Sequence, residues 1–177
     1  MRILGIDPGL RICGYAVIET TAADQKLIEA GVLRTDRSAA LEGKLNQIGA
    51  DTQALLAKFR PEVVAVEHLY SHYAHPRTAI LMGHARGVIL QKVAEASVEV
   101  RSFSATRIKK SITGNGRASK EQMQRAIQGI LSLAEMPEPS DVADAIAAAL
   151  CCAGSSNFAL EAVHGARTKK TASQISR

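Results

Sequence analysis

Residues 2–9 read Arg2-Ile3-Leu4-Gly5-Ile6-Asp7-Pro8-Gly9. An uninterrupted apolar run closed by a single acid and a Pro-Gly turn is the pattern of a strand buried on both faces of a sheet. The run Val63-Val64-Ala65-Val66 repeats the pattern, closed by Glu67 and followed by a loop rich in His and Tyr. A carboxylate at the end of a buried strand is costly to desolvate unless it is paired or binds a metal. Two such acids, on what reads as one edge of one sheet, point to a metal site.

Working outward, Gly14-Tyr15-Ala16-Val17-Ile18 reads as a second strand after the Pro8-Gly9 turn, and residues 27–33 as a third. Three strands so closely spaced predict an antiparallel meander. Leu41, Leu45, Ile48, Thr52, Leu55, Leu56 and Phe59 recur at helical spacing, so residues 39–59 are expected to form an amphipathic helix stopped by Pro61. A fourth strand is predicted over 63–67 and a long helix over 77–96, with Gly83, Ala85 and Gly87 read as a small-residue face. A fifth strand follows over 98–101, then helices over 104–112, 119–133 and 140–153. A meander followed by α/β crossovers predicts an α/β domain: a mixed five-stranded sheet with helices on both faces. Residues 1–154 are read as that domain, and 155–177 as a basic, disordered tail.

The chain has 177 residues, 46% of them hydrophobic, enough for one domain with its own core. Cys13, Cys151 and Cys152 match no zinc spacing, and the adjacent pair sits in an Ala-rich helical stretch, which predicts buried free thiols in a reducing cytosol, hence a cytoplasmic protein. The N-terminus lacks the pattern of a signal peptide. No apolar run approaches the ~20 residues needed to span a membrane. The net charge of +5 is unevenly spread: residues 1–100 carry 11 basic and 11 acidic groups, whereas 101–125 carry 7 basic and 1 acidic. Such a basic segment fits a polyanionic partner such as nucleic acid, against the plainer reading of a solvated helix.

Asp141 and Asp144 are three apart on a predicted helix, hence on one face. Taken alone, they read as acids complementing the dipole of a helix capped by Ser140. Beside Asp7 and Glu67 they make a set of four hard oxygen ligands, suited to Mg²⁺ or Mn²⁺ rather than zinc. A pair of such ions serves in-line phosphoryl displacement by water.

Gly5-Ile6-Asp7-Pro8-Gly9-Leu10 with Gly14-Tyr15, then Val64-Ala65-Val66-Glu67, Gly83-His84-Ala85-Arg86-Gly87-Val88, Lys109-Lys110-Ser111-Ile112-Thr113-Gly114-Asn115-Gly116, Ala118-Ser119-Lys120-Glu121-Gln122 and Asp141-Val142-Ala143-Asp144-Ala145 together resemble the RuvC family of Holliday-junction resolvases. The match is collinear over roughly residues 1–153. The resemblance implies a ribonuclease H-like fold and a homodimeric endonuclease that cuts four-way DNA junctions symmetrically in recombination and repair. It implies that Asp7, Glu67, Asp141 and Asp144 are catalytic and hold two Mg²⁺ ions, with Mn²⁺ as a substitute. By the same resemblance Lys109 and Lys120 lie near the scissile phosphate or the DNA backbone, Lys120 with a catalytic part, and branch-migration proteins are partners. Tyr70 falls where the family often has Phe, an aromatic ring stacked on bases at the junction centre. The helix after residue 76 would form much of the dimer interface.

Arg77, Arg107, Lys110 and Arg117 are further candidates for phosphate contact, as are Lys109 and Lys120. Arg101 reads as structural. His68, His72 and His75 read as DNA-facing or solvated rather than as a zinc cluster, and Tyr73 as a candidate second stacking ring. Gly114-Asn115-Gly116 reads as a turn, because no Gly-Lys-Ser/Thr follows it. Three rival functions stand beside the junction nuclease. An actin-like kinase would need a second nucleotide-binding half. A nuclease of RNA–DNA hybrids shares the four-acid layout. A non-catalytic junction binder would be marked by loss of acids, and all four are present.

Overall fold

The computed structural model describes residues 1–21, 24–69 and 76–155. Five strands form one sheet: β1 (Arg2–Asp7), β2 (Ile12–Thr20), β3 (Gln25–Arg34), β4 (Val63–Glu67) and β5 (Glu99–Phe103). Their order is β3-β2-β1-β4-β5, with β1–β2 and β2–β3 antiparallel and β1–β4 and β4–β5 parallel. The expected meander and mixed sheet are both present, and β1 is central. Its apolar run is covered on each side: Ile3 packs into one core layer, Leu4 and Ile6 into the other.

Helices α1 (Leu41–Phe59) and α2 (Pro76–Glu95) cover the face that holds Leu4, Ile6, Val64 and Val66. In α1 the buried Ile48, Thr52, Leu55, Leu56 and Phe59 are the predicted stripe, and the Thr52 hydroxyl donates to the Ile48 carbonyl at 2.7 Å. Arg60 ends the helix in the left-handed region (φ 46°), its N–H donating to Leu56 O, and Pro61 prevents continuation. The opposite face carries α3 (Ala105–Thr113), α4 (Lys120–Ile130) and a helix over 140–155, here α5. Ser104 and Ser119 cap α3 and α4 with their side chains, the second as a full capping box with Gln122. Gly114 closes α3 at φ 76°, which makes Gly114-Asn115-Gly116 the expected turn.

Three expectations are corrected. Gly83, Ala85 and Gly87 do not share a face: Ala85 is fully buried against the sheet, whereas a side chain at Gly87 would meet open space. Residues two apart on a helix point nearly opposite ways. Ser140 is already the first residue of α5, and the Val142 N–H donates to the Pro139 carbonyl at 2.9 Å. The helix predicted over 119–133 stops at Ile130, where Leu131 and the positive-φ Ser132 turn the chain. Tyr70, His72, Tyr73, His75 and all of the predicted tail but Ser155 lie outside the described residues. Among those described, no helix is long and apolar enough to cross a membrane.

Candidate active site

Strand register brings Asp7 and Glu67 together. Ile6 pairs with Val66 across the parallel β1–β4 ladder, so the next residue on each strand is an acid. Side chains alternate along a strand, and Ile3 and Gly5 face α5 on β1 as Val63 and Ala65 do on β4. Asp7 and Glu67 continue those rows, so both carboxylates leave the sheet on the α5 side. The ladder extends one residue further through the backbone, His68 N–H donating to Phe103 O at 2.8 Å, while the His68 side chain is exposed.

Two glycines let α5 bring the other acids to the same place. A Cβ on Gly5 would overlap the Ala145 carbonyl, and one on Gly14 the Asp141 carbonyl. Helix backbone therefore rests directly on β1 and β2, closer than any side chain would permit. Below that contact α5 is nearly all core, with Ala145 through Ala149 at no more than 1% exposure. Its first turn projects Asp141 and Asp144, each half-buried, beyond the packed region.

The electrostatics register the crowding. Burial, reinforced by Asp144, Glu67 and Asp141 in turn, lifts Asp7 to about 7, against a smaller opposing effect of Lys120. Burial and Asp144 raise Glu67, opposed by Lys109. Burial raises Asp144 as well, with Lys120, the largest opposing charge, pulling it down. Four carboxylates and two lysines thus act on one another at the C-terminal ends of β1 and β4. A cleft of about 200 Å³ opens there, lined by Glu67, Ala105, Ile108, Lys109, Lys120, Met123 and Asp144. A hollow about three times larger, 610 Å³, contains none of the acids.

The donor chemistry fits a hard divalent cation. All four donors are carboxylates, and their mutual repulsion is only partly offset by Lys109 and Lys120. Among the described residues no three acid, His or Cys side chains stand close enough together to hold an ion as a set.

The basic candidates divide. Lys109 and Lys120 line the acid cleft. Arg107 and Lys110 line the larger hollow instead, and the Arg107 guanidinium lies 5.0 Å from the centre of the Phe103 ring. Arg77, on the first turn of α2, is exposed, as is Arg117, whose backbone N–H is held by Asn115 Oδ1 at 3.0 Å. Arg101 pairs with Glu99 at 2.7 Å, in keeping with the structural reading.

Arg86 has no role in the sequence reading. From α2 it donates through Nε to the Glu67 carbonyl at 3.3 Å and through Nη2 to Ser102 Oγ at 3.0 Å, tying together the ends of β4 and β5. Its sequence signal is its place in the block Gly83-His84-Ala85-Arg86-Gly87-Val88, whose reading rests on resemblance and small residues and not on this arginine.

The family model described as crossover junction endodeoxyribonuclease RuvC matches residues 3–152. The chain is 50% identical over 149 residues to a protein of that name from Rhodopirellula baltica, covering 84% of each chain. It is 42% identical over 155 residues to the one from Heliobacterium modesticaldum, covering 88% of this chain and 95% of the relative. Among solved structures it resembles Thermus thermophilus RuvC in complex with Holliday junction substrate, with a TM-score of 0.84, 33% identity, and coverage of 90% and 96%.

Proposed function

We propose the following chemistry for this chain, which belongs to the RuvC family of crossover junction endodeoxyribonucleases. Its substrate is four-way junction DNA, and the hydrolysis is metal-dependent, as in the rest of the family. Asp7, Glu67, Asp141 and Asp144 hold the cations: two Mg²⁺ ions, with Mn²⁺ able to substitute. The observation that carries this reading is the convergence of all four carboxylates on one face of the sheet, at the strand ends, under the first turn of α5.

When bound, such cations activate a water and offset charge on the leaving oxygen of an in-line displacement. The chain's own contributions follow from its geometry. Asp7, on the central strand of the sheet, is the central ligand. Asp141 and Asp144 move as one unit because the helix that carries them is seated on glycines. Lys109 and Lys120 enter the cleft from α3 and α4 and offer N–H donors to the non-bridging oxygens of the scissile phosphate, where negative charge builds in the transition state. Attack by water on phosphorus with loss of the 3′-oxygen leaves 5′-phosphate and 3′-hydroxyl ends, which a ligase can seal.

Symmetric cutting needs two copies, and we assign the homodimer contact to the outer side of α2. Gly87 there meets nothing, and Ile80 is 61% exposed. Tyr70, which lies outside the described residues, is assigned to stacking at the junction centre, and Arg77 to phosphates. Arg107, Lys110 and Arg117 extend the phosphate contacts beyond the cleft. Branch-migration proteins of the same pathway are the expected partners. The three free buried cysteines favour work in the cytoplasm.

The test is incubation of the protein with a synthetic four-way junction, a linear duplex and an RNA–DNA hybrid, with and without Mg²⁺ or Mn²⁺. Paired nicks at symmetry-related positions, on the junction alone and only with metal, are expected. Preferential cutting of the hybrid would replace this function with the hybrid-nuclease alternative.

A further inference from the structure

Residues 1–100 are electrically neutral as a segment, yet the fold gathers several of their cations at one place. The gathering is done by hydrogen bonds around the β1–β2 turn. The Thr35 N–H donates to the Arg11 carbonyl at 3.2 Å, and the Thr35 hydroxyl to the Leu10 carbonyl at 2.8 Å. This holds the end of β3 against the turn that follows Asp7. Gln47 of α1 bridges onward, its side-chain amide donating to the Arg34 carbonyl at 3.0 Å and accepting from the Asp36 N–H at 3.3 Å. The Lys44 ammonium donates to the Arg37 carbonyl at 3.2 Å. Arg11, Arg34, Arg37 and Lys44 are thereby collected on one rim.

The rim lies at the same end of the sheet as the catalytic acids. Asp7 pairs with Gly14 and Gly14 with Val32, so Arg34, which pairs with Ile12, stands two residues beyond the level of Asp7. It lies on the other flank from the cleft lysines: β3 and β2 on one side of β1, β4 with Glu67 and Lys109 on the other. Arg11, Arg34 and Arg37 are exposed, and among the described residues none of the four cations closes a salt bridge. Two acids share the region, Asp36 and Glu42. Asp36 accepts from the Ser38 N–H and hydroxyl at 2.8 Å each, and the Lys44 charge also helps hold its carboxyl below the usual range. That leaves the three exposed arginines as the cations a passing polyanion would meet beside the acid site.

We propose that Arg11, Arg34, Arg37 and Lys44 form a second phosphate-binding surface, which holds the DNA backbone on the β3 side of the catalytic acids. This rests on the DNA-cleaving function argued above and extends it. With cations on both flanks, a strand is fixed before and after the scissile phosphate, and its position over Asp7 no longer depends on α3 and α4 alone. The surface recognises phosphate, not base sequence, because it presents cations without a built base pocket.

The test is DNA binding by the full-length protein, followed by fluorescence anisotropy without divalent cations over a range of salt. Each lost phosphate contact makes the slope of log K against log salt shallower by about 0.9. The exposed variant Arg34→Gln is expected to show that change. The triple variant Arg34→Gln/Arg37→Gln/Lys44→Gln is expected to show about three times as much. Lys26→Gln removes one charge from the opposite end of the same strand and is the control for bulk charge. Arg34→Lys/Arg37→Lys retains the charges and should keep the slope. An unchanged slope in the triple variant, or an equal change in Lys26→Gln, overturns the proposal. Both junction and linear duplex are titrated. Unaltered protein that shows no preference for the junction would overturn the function argued above, while the slopes still decide the rim.

Discussion

Gly14 pairs with Asp7 across the β1–β2 ladder, and the space its side chain would occupy is filled by the carbonyl oxygen of Asp141. One missing Cβ on β2 therefore sets how closely the helix carrying Asp141 approaches the strand beside Asp7. Gly5 does the same one turn along, under Ala145.

Gly14→Ala tests this seat directly. The new methyl must push α5 outward, and overpacking of this kind costs about 1–3 kcal/mol. A lower melting temperature is expected, together with a loss of cleavage larger than the loss of junction binding. Full cleavage by a protein with unchanged melting would show that the seat does not set the site.

Asp7→Asn should reduce cleavage by more than about 100-fold and leave junction binding intact, since it removes the central metal ligand but not the cations that hold DNA. Single-turnover cleavage and binding measured on the same preparation check this. Full cleavage in Mg²⁺ would sink the assignment.

The same variant has a consequence for stability. Asp7 is lifted from 3.8 to about 7 in the folded protein. A raised carboxylate binds its proton more tightly folded than unfolded, so metal-free stability is highest below about pH 4 for this group and falls as pH rises toward 7. A rise of three units corresponds to about 4 kcal/mol as an upper figure. Thermal melts in EDTA should thus show Asp7→Asn more stable than the unaltered protein at pH 8, with the gap closing toward pH 4. Added Mg²⁺ should restore the unaltered protein at pH 8 and do less for the variant. A gap that widens on acidification would contradict the sign.

Lys120 opposes the charge of both Asp7 and Asp144. Lys120→Ala is expected to slow cleavage by about 10- to 100-fold, as loss of a donor to transition-state charge does. An unchanged rate at every salt concentration would remove Lys120 from the site.

Arg86 holds the Glu67 carbonyl at 3.3 Å, so it is expected to act through Glu67 rather than on DNA. Arg86→Ala should lower the rate at saturating junction by about 10-fold, as loss of an outer support for a metal ligand does, with little change in affinity. Arg86→Lys should recover part of it, because one donor can still reach the Glu67 carbonyl. A weakened affinity with an unchanged saturated rate would instead make Arg86 a DNA contact.

The legible parts of the fold were those with strong local pattern. The strand ends at Asp7 and Glu67 fall where the apolar runs stop, and α1 ends where Pro61 requires. β2 and β3 run longer than their apolar centres because polar residues such as Glu19, Thr20 and Lys26 still pair in the ladder. Asp7 and Glu67 stand out because each is the first charge after an apolar run, whereas Asp141 and Asp144 alone read as acids at a helix start and join the set only beside the other two. Contacts between elements were not. Nothing in the local pattern of Gly14 tells that a helix from the far end of the chain will rest on it. Lys109 and Lys110 are indistinguishable as neighbours in a basic run, yet one helical step sends them to different hollows. The rim around Arg11 and Arg34 was hidden because its cations are scattered through a segment of zero net charge.

The seating of α5 also sets when the protein becomes a nuclease during its synthesis. Asp7 leaves the ribosome long before Asp144, which belongs to the last helix of the described domain. A nascent chain lacking α5 holds half of its acids and leaves the Ile3, Ala65 and Ile18 face of the sheet uncovered. Contacts between such distant segments form late and slowly. The four acids therefore cannot come together until α5 has been made and has docked on Gly5 and Gly14.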